Sequence, residues 1–174
     1  PGVFNHSEEY NGSAWAEGDN LGTARLGCGG MGTQTAGSIA AGHNNTAVVA
    51  LNEEYDGTSY TESGDLNTAR QGVTGSGTQT AGLVSGGNGP SASSEEYNGT
   101  AWTEGNALNT GRYFGGGCGT QTSAITTGGE VSGSPSRTAD AEQYDGTSWT
   151  EVGNINTARY NMGTMGHTKQ YTEN

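Results

Sequence analysis

Glu53-Glu54-Tyr55-Asp56-Gly57-Thr58-Ser59-Tyr60-Thr61-Glu62 is the stretch that decides the fold, because near-copies of it occur four times along the chain. The opening triplet recurs as Glu8-Glu9-Tyr10, Glu95-Glu96-Tyr97 and Glu142-Gln143-Tyr144, at intervals of 42 to 47 residues. Each copy carries an aromatic residue at the same offset (Trp15, Tyr60, Trp102 and Trp149) and closes on an arginine: Arg25, Arg70, Arg112 and Arg159. A second block follows the first three arginines: Thr33-Gln34-Thr35, Thr78-Gln79-Thr80 and Thr120-Gln121-Thr122. It runs into small residues that end at Ala41-Gly42, Gly86-Gly87 and Gly128-Gly129. A fixed period of this length marks a repeat architecture.

Within each copy, Asn11-Gly12, Asp56-Gly57, Asn98-Gly99 and Asp145-Gly146 separate two strand-like segments. Asx-Gly pairs predict a two-residue type I′ hairpin turn, with φ > 0 at both central positions. A glycine-rich strand and a short apolar strand such as Ala81-Gly82-Leu83-Val84-Ser85 complete a unit of four strands. No sustained 3.6-residue apolar period appears, so helix content should be close to nil. Four-stranded units of this length match the blades of a β-propeller, and solenoid coils are shorter. The expected fold is all-β: one domain of four repeats, approximately 1–52, 53–94, 95–141 and 142–174.

Composition alone points elsewhere. Glycine takes 33 of 174 positions, and Leu, Ile, Val and Phe together fall below the ~20% at which a charged chain is suspected of disorder. The repeat removes that reading, since small residues let sheets approach near an axis while one aromatic per blade fills the wider part of the wedge. The net charge of −12 argues against nucleic acid as a partner, because phosphate neutralisation needs a basic face. No apolar run approaches a transmembrane length, so membrane insertion is not expected.

The repeat resembles the kelch family of β-propellers. The resemblance rests on Gly86-Gly87 or Gly128-Gly129, then Tyr97 or Tyr144, then Trp102 or Trp149, with an arginine downstream. It implies that the glycine pair ends the first strand of a blade, that Tyr and Trp pack between blades, and that the arginine makes buried polar contacts. The chain departs from kelch in its short Tyr-to-Trp spacing and in the doublet Ala41-Gly42. The wording of Tyr144-Asp145-Gly146-Thr147-Ser148-Trp149-Thr150-Glu151, Leu66-Asn67-Thr68-Ala69-Arg70 and Gly77-Thr78-Gln79-Thr80-Ala81 is similar to kelch-like arrays in virion proteins of marine tailed phages. That similarity implies a nonenzymatic structural or interaction protein, a capsid decoration or a tail or fibre component, on a virion surface or otherwise extracellular. Its partners would be other virion proteins or copies of itself. The alternative is a secreted or cell-surface propeller that binds glycans.

Periodic residues are read as structural. A once-per-repeat arginine beside a once-per-repeat glutamate suggests a buried ion pair, with the second glutamate of each pair facing water. Trp15, Tyr60, Trp102 and Trp149 are assigned to packing. Binding is assigned to the loops that differ between repeats: His43-Asn44-Asn45, Asn88-Gly89-Pro90 and 131–140, with Ser134 and Arg137. His6, His43 and His167 lack metal-ligand spacing, and no catalytic constellation or cofactor loop stands out. Cys28 and Cys118 occupy different repeat offsets and read as small free thiols. The chain opens on Pro1 rather than Met, which suggests processing, trimming or a fragment. His167 to Tyr171 departs from the repeat, and 169–174 is poor in small apolar residues. The two ends could complement each other and close a ring, with the tail supplying a strand, or the chain could be the last blades of a longer propeller; the composition of 169–174 favours the latter.

Overall fold

The computed structural model describes residues 2–133 and 136–163. Among them every regular element is a β-strand, so the all-β expectation holds. A hairpin of β1 (Glu8–Tyr10) and β2 (Trp15–Glu17) comes first, followed by three four-stranded antiparallel sheets. The first sheet holds β3 (Gly29–Thr33), β4 (Ala36–Ala40), β5 (Asn52–Tyr55) and β6 (Tyr60–Glu62). The second holds β7 (Thr74–Thr78), β8 (Ala81–Ser85), β9 (Ser94–Tyr97) and β10 (Trp102–Glu104). The third holds β11 (Gly116–Thr120), β12 (Ser123–Thr127), β13 (Ala141–Tyr144) and β14 (Trp149–Val152).

The sheets are out of phase with the sequence repeats. Each sheet takes its glycine-rich strand pair from one repeat and its Glu-x-Tyr hairpin from the next. The glycine doublets consequently follow the second strand of each sheet, after β8 and β12, and not the first as the kelch resemblance implied.

Two turns in each sheet exchange roles relative to expectation. Tyr55 pairs with Tyr60, so the Asp56-Gly57 loop has four residues and not two. Only Gly57 takes a positive φ there, at 91°; Asp56 does not, because its carboxylate accepts the backbone N–H groups of Thr58 and Ser59 at 2.8 Å each. Asn11, Asn98 and Asp145 do the same in their own loops. These are Asx turns, in which the side chain replaces a backbone acceptor. The two-residue hairpins are instead Gln34-Thr35, Gln79-Thr80 and Gln121-Thr122, between registered pairs such as Thr78 and Ala81.

Sheets stack through their glycine-rich strands. A Cβ on Gly75 would lie 2.6 Å from the Gly30 carbonyl oxygen, so that approach requires glycine on β7. Further out, apolar side chains fill the space between sheets. Met31, Ala40, Leu66, Val73, Val84, Tyr97 and Trp102 form one cluster, and Leu83, Leu108, Ala124, Tyr144 and Trp149 form the next. Few large aliphatics suffice because the glycine strands leave little volume to fill.

Candidate functional site

The seams between successive sheets hold the repeated polar residues. At the second seam the Glu95 carboxylate accepts the backbone N–H groups of Asn67 and Thr68, the Asn67 side-chain amide, and Arg70. Asn67 also donates to the Trp102 carbonyl at 2.9 Å, and Arg70 Nη1 donates to Ser93 and Gly86 carbonyls. The third seam repeats this with Glu142, Asn109, Thr110 and Arg112, whose Nη2 lies 2.6 Å from Glu142 Oε1. At the first seam Gly22 stands in the Asn position, and Glu53 accepts Gly22 N–H and Arg25 Nη1 at 2.6 and 2.7 Å. Each of these ion pairs is buried. A buried pair survives only if its remaining donors and acceptors are satisfied, and the carbonyls and turn amides do most of that here. Arg159, the fourth repeated arginine, is exposed, and among the described residues its side chain donates only to the Thr157 carbonyl.

The second glutamate of each triplet does not simply face water. Glu9, Glu54 and Glu96 accept the phenol O–H of Tyr55, Tyr97 and Tyr144, each from the following sheet. The sequence reading missed these bonds because they join residues 43 to 48 positions apart, a relationship that no local spacing reports. The Glu9 carboxylate pushes the Tyr55 phenol up to about 12. Burial, aided by Glu54 and Glu96, raises Tyr97 and Tyr144 as well. Gln79 and Gln121 add a further stitch, each donating through Nε2 to two backbone carbonyls of the preceding sheet.

The four repeated aromatics divide by position. Trp102 and Trp149 are 5% and 6% exposed, Tyr60 is half-buried, and Trp15 is 66% exposed on the outer strand of the first hairpin. Each sits against the tyrosine across its own hairpin, with ring centroids 4.6 to 5.2 Å apart. Exposed Trp15 borders a groove with His6, Glu8, Glu17 and Asn20.

The variable loops follow β4, β8 and β12, so they occupy one position in the three sheets. Their residues fold the loops: His43 Nδ1 accepts Asn45 N–H, Asn44 accepts Thr46 and Ala47, and Asn88 accepts Gln71 N–H at 3.0 Å. Arg137 lies over the Tyr160 ring, 4.8 Å from its centre. Ser134, and the tail from His167 to Tyr171, lie outside the described residues. Beside the loops, one cavity is lined by the same repeat position from all four repeats: Gly27, Gly72, Phe114 and Asn161. A relay of backbone bonds runs along it, Gly72 N–H to Gly27, Phe114 N–H to Gly72 and Asn161 N–H to Phe114. Cys28 sits on this cavity as a free thiol, its pKa raised by burial; Cys118 is also free. Among the described residues no three His, Cys, Asp or Glu side chains are grouped to hold a metal ion.

No family model matches this chain, and no curated protein matches it either.

Proposed function

We propose that the chain is a nonenzymatic interaction module built as a kelch-like β-propeller array, displayed on the exposed surface of a tailed-phage particle. One observation carries the interaction reading. The repeated polar side chains Arg, Glu, Tyr and Gln join sheet to sheet, whereas differences between repeats concentrate in loops that share one position in every sheet. A scaffold with variable loops at one end is a common arrangement for selecting partners. The strong negative charge keeps such a surface soluble and repels nucleic acid. The virion assignment rests on the wording of the repeat and on the likeness it bears to phage arrays. Mass spectrometry and antibody labelling of purified particles test it. Stoichiometric amounts of the chain are expected, and absence from particles combined with secretion by a cell removes the virion reading.

The glycan-binding alternative has one observation in its favour. Trp15 offers an open indole face beside Glu8, Glu17 and Asn20, a combination of stacking surface and hydrogen-bonding groups suited to a sugar ring. Glycan-array binding that disappears in Trp15→Ala supports it, and an empty array removes it.

A further inference from the structure

The first variable loop is closed by a side chain that can take a proton. Its base is held by backbone bonds. His43 N–H donates to the Leu26 carbonyl at 2.9 Å and Leu26 N–H to that of His43 at 3.1 Å. Gly42 N–H donates to the Arg70 carbonyl at 2.8 Å, and Val49 N–H to the Gly42 carbonyl at 2.9 Å. The tip, 44–47, depends on side chains. The Asn44 amide oxygen accepts the Thr46 and Ala47 N–H groups, and the Asn45 N–H goes to His43 Nδ1 at 3.0 Å. Asn45 itself takes a φ of 73°, a left-handed conformation that a residue other than glycine keeps when its surroundings hold it there.

The Asn45 bond requires a neutral imidazole. Nδ1 accepts through its lone pair, and a proton on that nitrogen turns the acceptor into a donor aimed at another donor. Imidazole is the ordinary side chain that makes this change between about pH 5 and 8. The second loop supplies a built-in comparison. Asn88 follows Gly86-Gly87 as His43 follows Ala41-Gly42, and it accepts the Gln71 N–H at 3.0 Å. Its amide oxygen takes no proton in that range. Two loops thus place a side-chain acceptor at one repeat position, and only His43 titrates.

The other titratable groups on elements packed against the loop are committed elsewhere. Arg25, next to Leu26, is buried against Glu53, and Arg70 is buried against Glu95. Cys28, whose sulfur lies beside Gly42, has its thiol pushed up by burial and stays protonated. Asp65, on the connector whose Leu66 N–H bonds the Ala50 carbonyl, accepts the Asn52 N–H at 3.3 Å. Among the described residues no carboxylate pairs with the His43 ring.

We infer that His43 is a proton-operated latch on the tip of this loop. Neutral, it holds 44–47 in the closed turn. Protonated, it releases the Asn45 N–H, and the left-handed residue relaxes while the base of the loop stays paired. The loop therefore presents one surface at neutral pH and another in mild acid, and a partner selected by it is held or let go by acidity. That consequence rests on the reading of the variable loops as the partner-selecting surface and adds a regulation to it.

Nitrogen-15 NMR of the full chain, titrated from about pH 8 to about pH 5, tests the latch. An N–H to N hydrogen bond transmits a scalar coupling, here between the Asn45 amide nitrogen and His43 Nδ1. The coupling is expected at the alkaline end and should be lost in step with the titration of the His43 ring itself. The amides of 44–47 should shift with it, while that of Ser91, in the second loop, stays in place. His43→Asn provides the second measurement, since it puts an acceptor without a titrating proton at this position, as Asn88 does in its loop. Its tip amides should not move over the same range. A coupling absent at the alkaline end overturns the inference. So do tip amides that stay fixed while His43 titrates, or a His43→Asn tip that moves as the wild type does. None of these results touches the particle-labelling experiment, which reads location and not the state of a loop.

Discussion

Arg112 and Glu142 meet at 2.6 Å with both side chains sealed from solvent, and the arginine simultaneously fills the Gly128 and Asp140 carbonyls. One guanidinium thus ties the connector before a sheet to two of that sheet's strands. Its planar fork can reach the carboxylate and the carbonyls at once, which a lysine ammonium on a flexible stem does less well. The same construction at Arg70 and Glu95, with the same tie to two carbonyls, makes the seam a repeated part of the fold.

Arg70→Ala should therefore destabilise the chain by about 3–5 kcal/mol, since Glu95 would be left buried without its charge partner. Arg159→Ala should stay within about 0.5 kcal/mol of the parent, as exposed substitutions do. Denaturant titration of the two variants decides it. Equal midpoints would mean that the buried pair contributes nothing to holding the sheets together.

At the hairpin loop, Gly57→Val should cost more stability than Thr58→Val. Gly57 has φ at 91°, a region that β-branched residues resist. Thr58 contributes its backbone N–H to Asp56 and keeps it when replaced by valine. Paired chemical denaturation curves provide the comparison, and equal costs would refute the assigned loop geometry.

The all-β class and the four-strand unit were legible because a repeat copies its signals. Four Asx-Gly pairs and three Thr-Gln-Thr blocks mark strand ends wherever they recur. The loop type was misread at Asp56-Gly57 because the aspartate side chain does the work that a positive φ would do in a type I′ turn. The destination of Glu54 was out of reach, since Tyr97 becomes its neighbour only after two sheets stack. The exposure of Trp15 and Arg159 was hidden for the opposite reason: repetition makes four positions look alike, while their surroundings depend on having a sheet on each side.

The two limbs of the pH–stability curve should have separate origins. Asp56 and Asp145 have carboxyls held below the usual 3.8, first by backbone bonds from Ser59 and Ser148 and then from Thr58 and Thr147. A depressed folded value contributes stability that is present above the ordinary pKa and lost as pH falls through the folded one. Asp56→Asn keeps the acceptor, as Asn11 and Asn98 do in their repeats, and should remove that share of the acid dependence. Tyr55 works in the other direction. Its phenol, raised from 10 to about 12, contributes below pH 10 and loses that contribution as pH rises through the folded value. Carboxyl NMR titration and ultraviolet titration of the tyrosines read the two limbs. Aspartates at their ordinary value, or a Tyr55 that titrates normally in the folded chain, would contradict the bonds assigned to them.

Gln121 supplies the most direct test of sheet-to-sheet stitching. Its Nε2 donates to the Gly82 and Tyr97 carbonyls at 3.0 and 2.7 Å, both on the preceding sheet. Gln121→Ala removes two hydrogen bonds and should cost about 1–3 kcal/mol, depending on how well water reaches the abandoned carbonyls. Gln121→Glu should be worse than alanine at neutral pH, because a carboxylate oxygen would then face two carbonyl oxygens. The introduced carboxyl escapes that repulsion by taking a proton, and once protonated it can donate one bond. Its folded pKa is therefore raised, so the variant should recover toward wild-type stability as pH falls through that raised value, with the recovery complete by about 4.3. Gln34 is the control: among the described residues its amide reaches only the Glu9 carboxylate, at 3.4 Å and exposed, and Gln34→Ala should be close to neutral. Thermal melts of the three variants across acid and neutral pH give the answer. A glutamate at 121 as stable as the native glutamine at neutral pH would show that the amide does not donate across the seam.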